Sequence, residues 1–238
     1  MKIALVGYGK MGIAIENLSA VAGHTISHKI GKENQEDLAR INDINTDIVI
    51  EFSDPSIAVK NILYCLNNNL PVVCGTTGWL AEWDTIMDAC TANNGSFFYA
   101  SNYSIGVNLF FKINEFAAKL MSKQAYNVVV EEIHHTEKKD SPSGTAITIA
   151  EPIIKEQQMT GWVNMASSTK KEIGIISKRE ANLPGTHTVS YTSAVDEINM
   201  THIAHTRKGF AKGALAVAEW IYNTNAKGML NMDNYLTF

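Results

Sequence analysis

The chain begins with a short apolar segment that runs straight into a glycine-rich turn. Residues 2–6, Lys-Ile-Ala-Leu-Val, are followed by Gly-Tyr-Gly-Lys-Met-Gly, and residues 13–22 have the periodicity of a helix. In a strand, G-x-G-x-x-G, helix arrangement the glycines keep the turn tight, let a pyrophosphate approach the backbone, and let helix and strand pack closely. An ordinary glycine turn is the alternative. We predict a dinucleotide site lined by Gly7, Tyr8, Gly9, Lys10, Met11 and Gly12.

Strand and helix patterns continue to alternate through the first half of the chain. Such alternation is typical of a parallel sheet with helices on both faces, so we predict an α/β, Rossmann-type domain. Ligands of these sheets bind beyond the carboxyl ends of the strands, where we expect Gly7, Ser53, Gly75, Thr76, Thr77 and Asn102. The further predicted strands are residues 24–30, 47–53, 70–74 and 96–100, and the predicted helices are residues 56–67, after Pro55, and 80–92.

The alternation is lost after residue 104, which predicts a second domain of α+β type with a mixed or antiparallel sheet. We expect a dinucleotide-binding domain of residues 1–103 plus 207–238 and a second domain of residues 104–206. The first helix of the second half, residues 106–122, carries Leu109, Ile113, Phe116 and Leu120 on one face. The other predicted elements are strands at 127–135, 172–178, 187–192 and 197–205, a helix from Ser143, and a last helix at 212–223 that packs back on the first domain.

Composition and charge exclude several classes of protein. The 238 residues are 45% hydrophobic with a formal net charge of −4, which is a globular composition without the basic excess expected of a nucleic-acid-binding protein. No apolar run approaches the roughly 18 residues of a membrane span. Three cysteines in apolar or helical contexts do not suggest a disulfide framework. We therefore expect a cytoplasmic protein that binds neither nucleic acid nor membrane.

The end of the second predicted strand bears on the choice of cofactor. An acidic residue that binds the adenosine ribose would be expected about 20 positions past the glycine motif, where this chain has Gly31. Lys29 and Lys32 would suit the 2′-phosphate of NADPH, whereas Glu33 would suit the ribose of NADH. The alternative for Lys32 is a solvated loop charge. The expected cofactor is NADPH or NADH, with NADPH favoured.

Residues 132–146, Glu-Ile-His-His-Thr-Glu-Lys-Lys-Asp-Ser-Pro-Ser-Gly-Thr-Ala, combine groups that hold and protonate an acid. Histidine exchanges a proton near neutral pH, and lysine supplies positive charge. Ser143 and the two residues after it would open a helix whose backbone N–H groups attract a carboxylate. On a strand Glu132 would share a face with His134. A solvated polar loop is one alternative, and a zinc site is another, although the spacing does not supply three or four ligands.

This segment resembles the dihydrodipicolinate reductase family, whose pattern E-x-H-H-x-x-K-x-D-x-P-S-G-T-A it matches throughout. The resemblance extends to the glycine turn and to residues 75–78, 100–108, 185–189 and 207–214. It implies NAD(P)H-dependent reduction of 4-hydroxy-tetrahydrodipicolinate to tetrahydrodipicolinate in diaminopimelate and lysine biosynthesis. It also implies a homotetramer built on the sheets of the second domain, which would be a substrate-binding and oligomerisation domain. From the ligand spacing alone we expect no metal.

The resemblance also assigns roles by position. His134 would be the acid/base residue and Lys138 a proton donor, while His135, Gly144 and Thr145 would bind the carboxylates of a small dicarboxylate substrate. Lys32 would meet the 2′-phosphate. The other cofactor-binding residues would be those of the glycine turn together with Gly75, Thr76, Thr77, Ala100, Ser101, Asn102 and Tyr103.

The chain departs from the family pattern at four places. The glycine turn is one residue shorter than in many relatives, and the loop of residues 178–185 keeps Arg179 but lacks the usual Gly-Asp. Gly31 stands where the family has its ribose-binding acid. Pro152 should end or kink the helix that begins at Ser143 near Glu151. Two other functions remain open, a related amino-acid dehydrogenase and a protein that senses NADP(H) without chemistry. The first would not need the histidine–lysine segment, and the second would bind cofactor without oxidising it.

Overall fold

The computed structural model describes residues 1–167, 169, 171–206 and 208–237. The chain divides into two compact units, Met1–Ile105 with Lys208–Phe238, and Gly106–Arg207. Residue 207, which opens the last segment of the predicted dinucleotide-binding domain, lies outside the described residues.

The first unit is built on a six-stranded parallel sheet with the strand order β11-β5-β4-β3-β1-β2. Its central strands are short, apolar except for Glu51 at the end of β3, and buried along their whole length, as strands covered on both faces must be. The elements are β1 (Lys2–Val6), α1 (Lys10–Val21), β2 (Thr25–Ile30), a 3₁₀ segment (Lys32–Arg40), β3 (Ile48–Glu51), α2 (Pro55–Asn67), β4 (Val72–Cys74), a 3₁₀ turn (Leu80–Glu82), α3 (Trp83–Ala92), β5 (Ser96–Tyr99), α6 (Lys208–Thr224), β11 (Gly228–Leu230) and α7 (Met232–Tyr235).

Helices cover both faces of this sheet. Side chains of α2 and α3, such as Ile62 and Ile86, pack against one face, and those of α1 and α6, such as Ile15 and Val217, pack against the other. The doubly wound sheet and the return of the last long helix to the first unit are therefore confirmed. Both β11 and α7 were missed because strand and helix of three and four residues carry too few positions to show a period.

The second unit is built on a five-stranded mixed sheet with the order β10-β9-β6-β8-β7. Strand β6 runs parallel to β8 and antiparallel to β9, which confirms the predicted change of architecture. The three-residue strand β7 was missed. The elements are α4 (Ile105–Met121), which begins at the last residue of the first unit, β6 (Asn127–His134), α5 (Gly144–Glu156), β7 (Gly161–Val163), β8 (Glu172–Arg179), β9 (Gly185–Thr192) and β10 (Glu197–Ala204).

The face of α4 that looked apolar in the sequence is not the buried one. Leu109, Ile113, Phe116 and Leu120 are exposed, with 64% of Phe116 accessible. The helix instead packs through Val107, Phe110, Asn114 and Ala118, the last two fully buried. The buried face is narrow and contains small and amide side chains, so that hydrophobicity alone pointed to the wrong side.

Pro152 does not end the helix near Glu151, because α5 continues to Glu156. Proline lacks an N–H and disturbs hydrogen bonding in the preceding turn. In that turn the buried Asn114 side chain donates from Nδ2 to the Ile149 carbonyl at 2.8 Å. Ile149 and Ile153 are fully buried on either side of the proline. The helix therefore continues through a residue that disfavours it, with buried packing on both sides of the proline.

Cys65, Cys74 and Cys90 are free and buried, in agreement with the absence of a disulfide framework among them. Burial raises the pKa of the Cys65 and Cys74 thiols well above the ordinary value, which keeps both sulfurs protonated. Among the described residues, the helices are too short or too polar to span a bilayer.

Candidate active site

The glycine turn leaves the N-terminus of α1 open. Gly7 has a φ of +95°, and a β-carbon there would lie 1.9 Å from the Phe52 carbonyl oxygen, so only glycine fits. At Gly9, which precedes the helix, a β-carbon would meet no described atom within 4 Å. Space for a ligand is thus present in front of a helix N-terminus, where an anion is stabilised. The turn therefore fits a pyrophosphate.

A crevice of about 380 Å³ lies at the carboxyl ends of the strands beside this turn. Gly75 is required there because a β-carbon would lie 2.1 Å from the Phe52 ring. Thr76 accepts the Ser53 backbone N–H on Oγ1 at 2.8 Å, which ties the ends of β3 and β4 together. The crevice contains six of the predicted cofactor residues and three others: Gly9, Lys10, Met11, Gly75, Thr76, Thr77, Phe52, Ser53 and Pro55.

The predicted segment from Ala100 to Tyr103 is only partly available to a ligand. Ser101 is exposed and Asn102 half-buried, whereas Tyr103 is 2% exposed and donates from its hydroxyl to the Cys74 carbonyl at 2.7 Å. The tyrosine side chain is thus a core group that joins two strand ends. Any role of Tyr103 toward a cofactor would fall to its backbone.

The two lysines near the end of β2 have different surroundings. The Lys29 ammonium lies 2.5 Å from Glu16 and 5.3 Å from the centre of the Tyr8 ring, and Tyr8 donates to the same carboxylate. Hydrogen bonding to Glu16 raises the pKa of Lys29. Lys32 is exposed at the start of the 3₁₀ segment that follows Gly31. Both lysines are exposed, but Lys29 is already paired with Glu16.

In the second unit, the alternation of β6 places Glu132 and His134 on its covered face. Their side chains approach to 3.0 Å between Oε2 and Nδ1, which is an ion-pair contact. The other Glu132 oxygen accepts the Ser143 backbone N–H at 3.1 Å and lies 3.3 Å from Arg179 Nη1. Glu132 therefore links the predicted acid/base residue, the start of α5 and a half-buried guanidinium.

The ionisation of Glu132 follows from these contacts. Burial by itself would raise the pKa of its carboxyl, but hydrogen bonds from His134 and Ser143 outweigh that effect and lower the pKa well below its ordinary value. The side chain is therefore a carboxylate at neutral pH. A carboxylate at Nδ1 holds the proton on that nitrogen and sets the orientation of the ring.

His187 completes the group and was not found from the sequence. It stands directly opposite Glu132 on β9, with Nε2 4.0 Å from Glu132 Oε2. Its ring meets the His134 ring edge to face, with centroids 5.0 Å apart. The two histidines are 53 positions apart in the chain, and only the pairing of β6 with β9 brings them together. Their neighbour Gly185 would place a β-carbon 2.9 Å from His134 Nε2.

The remaining predicted substrate residues surround the start of α5. Ser143 caps the helix, its Oγ accepting the Ala146 N–H at 3.2 Å, so that Gly144 and Thr145 occupy the first turn. Lys138 lies 2.8 Å from Asp140, and its side chain is 22% exposed. Arg179 donates to the Lys138 and Asp140 carbonyls, which fixes the loop between β6 and α5.

His135 follows the last residue of β6 and is half-buried. It lines a second cavity, of about 290 Å³, with the loop that joins β8 to β9. The other lining residues are Thr136, Glu137, Ala181, Asn182, Leu183 and Pro184. The structure therefore assembles Glu132, His134, Ser143 and His187 closely, and leaves His135 outside that cluster.

Glu132, His134 and His187 also offer one oxygen and two nitrogens within 4.8 Å of one another, a donor set found in zinc sites. Sequence spacing could not show this set, because its third member comes from β9. The Arg179 guanidinium beside Glu132 already balances the carboxylate charge. We therefore interpret the cluster as a group that handles a proton rather than a metal.

Known proteins of one family match this chain over nearly its whole length. Residues 1–103 match the family model for the dihydrodipicolinate reductase N-terminus and residues 106–236 the model for its C-terminus. A 4-hydroxy-tetrahydrodipicolinate reductase from Christiangramia forsetii is 44% identical over 100% of this chain and 98% of its own. One from Archaeoglobus fulgidus is 34% identical over 87% and 81%.

Solved structures show the same fold. A dipicolinate-bound dihydrodipicolinate reductase from Paenisporosarcina sp. TG-14 superposes with a TM-score of 0.73 at 21% identity, covering 97% of both chains. A probable dehydrogenase from Thermotoga maritima gives 0.61 at 11% identity, covering 97% of this chain and 91% of its own. The chain belongs to the dihydrodipicolinate reductase family.

Proposed function

We propose that the protein reduces 4-hydroxy-tetrahydrodipicolinate to tetrahydrodipicolinate with NAD(P)H, as a step of diaminopimelate and lysine biosynthesis. The observation that carries the proposal is the Glu132–His134 pair beside the capped N-terminus of α5. Through Glu132, the proton donor His134 lies next to the helix N-terminus that can bind carboxylates. Relatives named for this reaction cover the chain from end to end, which supports the same assignment.

His134 is proposed as the acid that completes the reduction. The substrate loses its 4-hydroxyl group as water, and the reduced nicotinamide, when bound, supplies the hydride to the unsaturated ring that remains. The ring gains negative character as the hydride arrives. Protonation by a positioned imidazole then quenches that charge, an effect typically of about 10²–10⁴-fold. Glu132 holds Nδ1 and so leaves Nε2 as the nitrogen that exchanges a proton.

The start of α5 is proposed as the site of the substrate carboxylates. Backbone N–H groups of Gly144 and Thr145 lie in the first helical turn, where the helix dipole stabilises an anion by about 0.3–1 kcal/mol. Lys138 adds positive charge and a transferable proton, and its ion pair with Asp140 is exposed enough to exchange for a substrate carboxylate. His135, which lines the neighbouring cavity, is proposed to contact the substrate from that side.

For the cofactor we propose a preference for NADPH. Gly31 provides no carboxylate at the end of β2 to bind a ribose hydroxyl or repel a phosphate. Lys29 is already paired with Glu16, so Lys32 would meet the 2′-phosphate. The residues proposed to line the rest of the cofactor are those of the glycine turn, Gly75 to Thr77 and Ala100 to Tyr103.

A homotetramer that forms through the sheet of the second unit is also proposed. The helices α4 and α5 pack on one face of that sheet. On the other face Ile203 is 54% exposed, and its neighbours across the strands are Thr186 and then Ile133. An exposed surface of this kind suits a second copy of the sheet.

Three buried free thiols support the proposal that the assembly works in the cytoplasm.

The decisive experiment couples the enzyme to a synthase that makes its substrate from pyruvate and aspartate semialdehyde. Oxidation of NADPH and NADH is followed by absorbance in parallel, and we expect NADPH to be used at the lower KM. His134→Gln should lower kcat much more than it raises KM, whereas His205→Gln, at an exposed histidine, serves as the matched control. Cofactor binding without oxidation by the wild-type protein would favour a nucleotide sensor instead.

A further inference from the structure

A buried histidine on β9 touches both halves of the site. His187 is 4% exposed, and its Nε2 lies 3.4 Å from the Ser143 hydroxyl that caps α5. Its ring packs edge to face on that of His134, 5.0 Å between centroids. The proton donor and the carboxylate-binding helix terminus are therefore both in contact with one side chain, which comes from a different strand.

We propose that His187 is a positioning residue that fixes the His134 ring and the Ser143 cap at the same time. The proposal rests on the function proposed above. Glu132, His134, Ser143 and His187 are each at least nine-tenths buried, so that none of them can move into solvent to relax. The His134 ring is confined by Glu132 at Nδ1, by the His187 ring, and by Gly185 below Nε2. Removing His187 opens one wall of this enclosure.

The charge state of His187 agrees with a supporting role. Burial lowers the pKa of His187 to about 4, and the neighbouring His134 adds to the effect. His202 and Lys138 act in the same direction, while Glu132 opposes them. The side chain is neutral when His134 takes up a proton, and the single carboxylate of Glu132 then faces one imidazolium rather than two.

Two substitutions at the same position separate the two contacts. His187→Gln keeps an amide where Nε2 meets Ser143 but lacks the ring that confines His134. We expect kcat to fall about tenfold, as for a catalytic group displaced by less than an ångström, with KM and dipicolinate affinity unchanged. His187→Leu loses both contacts, and we expect kcat to fall and KM and the dipicolinate dissociation constant to rise together.

The matched control is His202→Gln, the same change at the residue opposite His187 on the next strand, β10. It should leave kcat, KM and dipicolinate binding as in the wild type. Circular dichroism melting identifies a variant that does not fold. If His187→Leu does not fold, the comparison of His187→Gln with His202→Gln still tests the proposal. Wild-type kcat in His187→Gln, or equal loss of kcat and binding in both His187 variants, would overturn the proposal.

Calorimetric binding of dipicolinate keeps this test separate from that of the proposed function. A wild-type protein that binds dipicolinate but oxidises neither cofactor would contradict the proposed reaction. If the wild-type protein turns over substrate and the His187 variants have the same kinetics as the wild type, only the positioning role is contradicted.

Discussion

Gly185→Ala should impair catalysis by moving His134, although residue 185 need not contact substrate. The new β-carbon would lie 2.9 Å from His134 Nε2, whereas a comfortable contact is about 3.5 Å. One of the two atoms must therefore move by about 0.5 Å. The ring cannot yield freely because Glu132 and His187 confine it. The φ of +156° at residue 185 adds backbone strain of about 1–3 kcal/mol for any side chain.

A displacement of 1 Å in a catalytic group can cost about 100-fold, so that half of that distance should lower kcat about tenfold. Steady-state kinetics with NADPH measures kcat and KM, and urea denaturation measures the loss of unfolding free energy. Gly161→Ala is the matched control, because a β-carbon on β7 meets no described atom within 4 Å. A kcat for Gly185→Ala equal to that of Gly161→Ala would refute the argument that the glycine sets the position of the ring.

Four further outcomes follow from the same contacts. Lys138→Ala should raise KM and lower kcat together, because it removes both the charge and a proton donor from the loop beside α5. Lys32→Ala should raise KM for NADPH and leave KM for NADH unchanged, in the same absorbance assay. Pro152→Ala should raise the unfolding free energy by about 1–3 kcal/mol, measured in urea, since an interior helical proline costs about 3 kcal/mol. The free energy of unfolding of the wild type should fall by up to about 3 kcal/mol as the pH falls from 6.5 to 4. The reason is that the pKa of His187 is 6.5 in the unfolded chain and about 4 in the folded chain, so that the unfolded chain takes up the proton first. His187→Gln should make the free energy of unfolding less dependent on pH over this range.

The parallel sheet could be predicted because its signals are local. The apolar strand before Gly7, the turn itself and Pro55 at the start of α2 each depend on a few consecutive residues. Periodicity works for the same reason, and it fails where the segment is short, as in β7 and β11. It also failed on α4, where the buried face contains Asn114 and Ala118 while Phe116 faces solvent.

Only the part of the candidate site that lies within one segment of the sequence could be predicted. Residues 132–146 supply Glu132, His134 and Ser143, and strand alternation places the first two on one face. His187 and Arg179 reach the same carboxylate from neighbouring strands, and their positions depend on the registers of β6 with β9 and β8. Such registers are set by long-range pairing, which a pattern within one segment does not contain.

The division of the first unit into two stretches of chain has a consequence for synthesis. Helix α6 covers Ile3, Leu5 and Phe98 on one face of the sheet, and β11 pairs with β5, yet both follow the whole second unit. When residues 1–105 have emerged from the ribosome, one face of their sheet therefore still lacks helix α6. That apolar face must wait for about 100 more residues, some 5–20 seconds at ordinary elongation rates, before its cover emerges. During that interval the nascent first unit should depend on chaperones, while the second unit, continuous in sequence, can close its own core first.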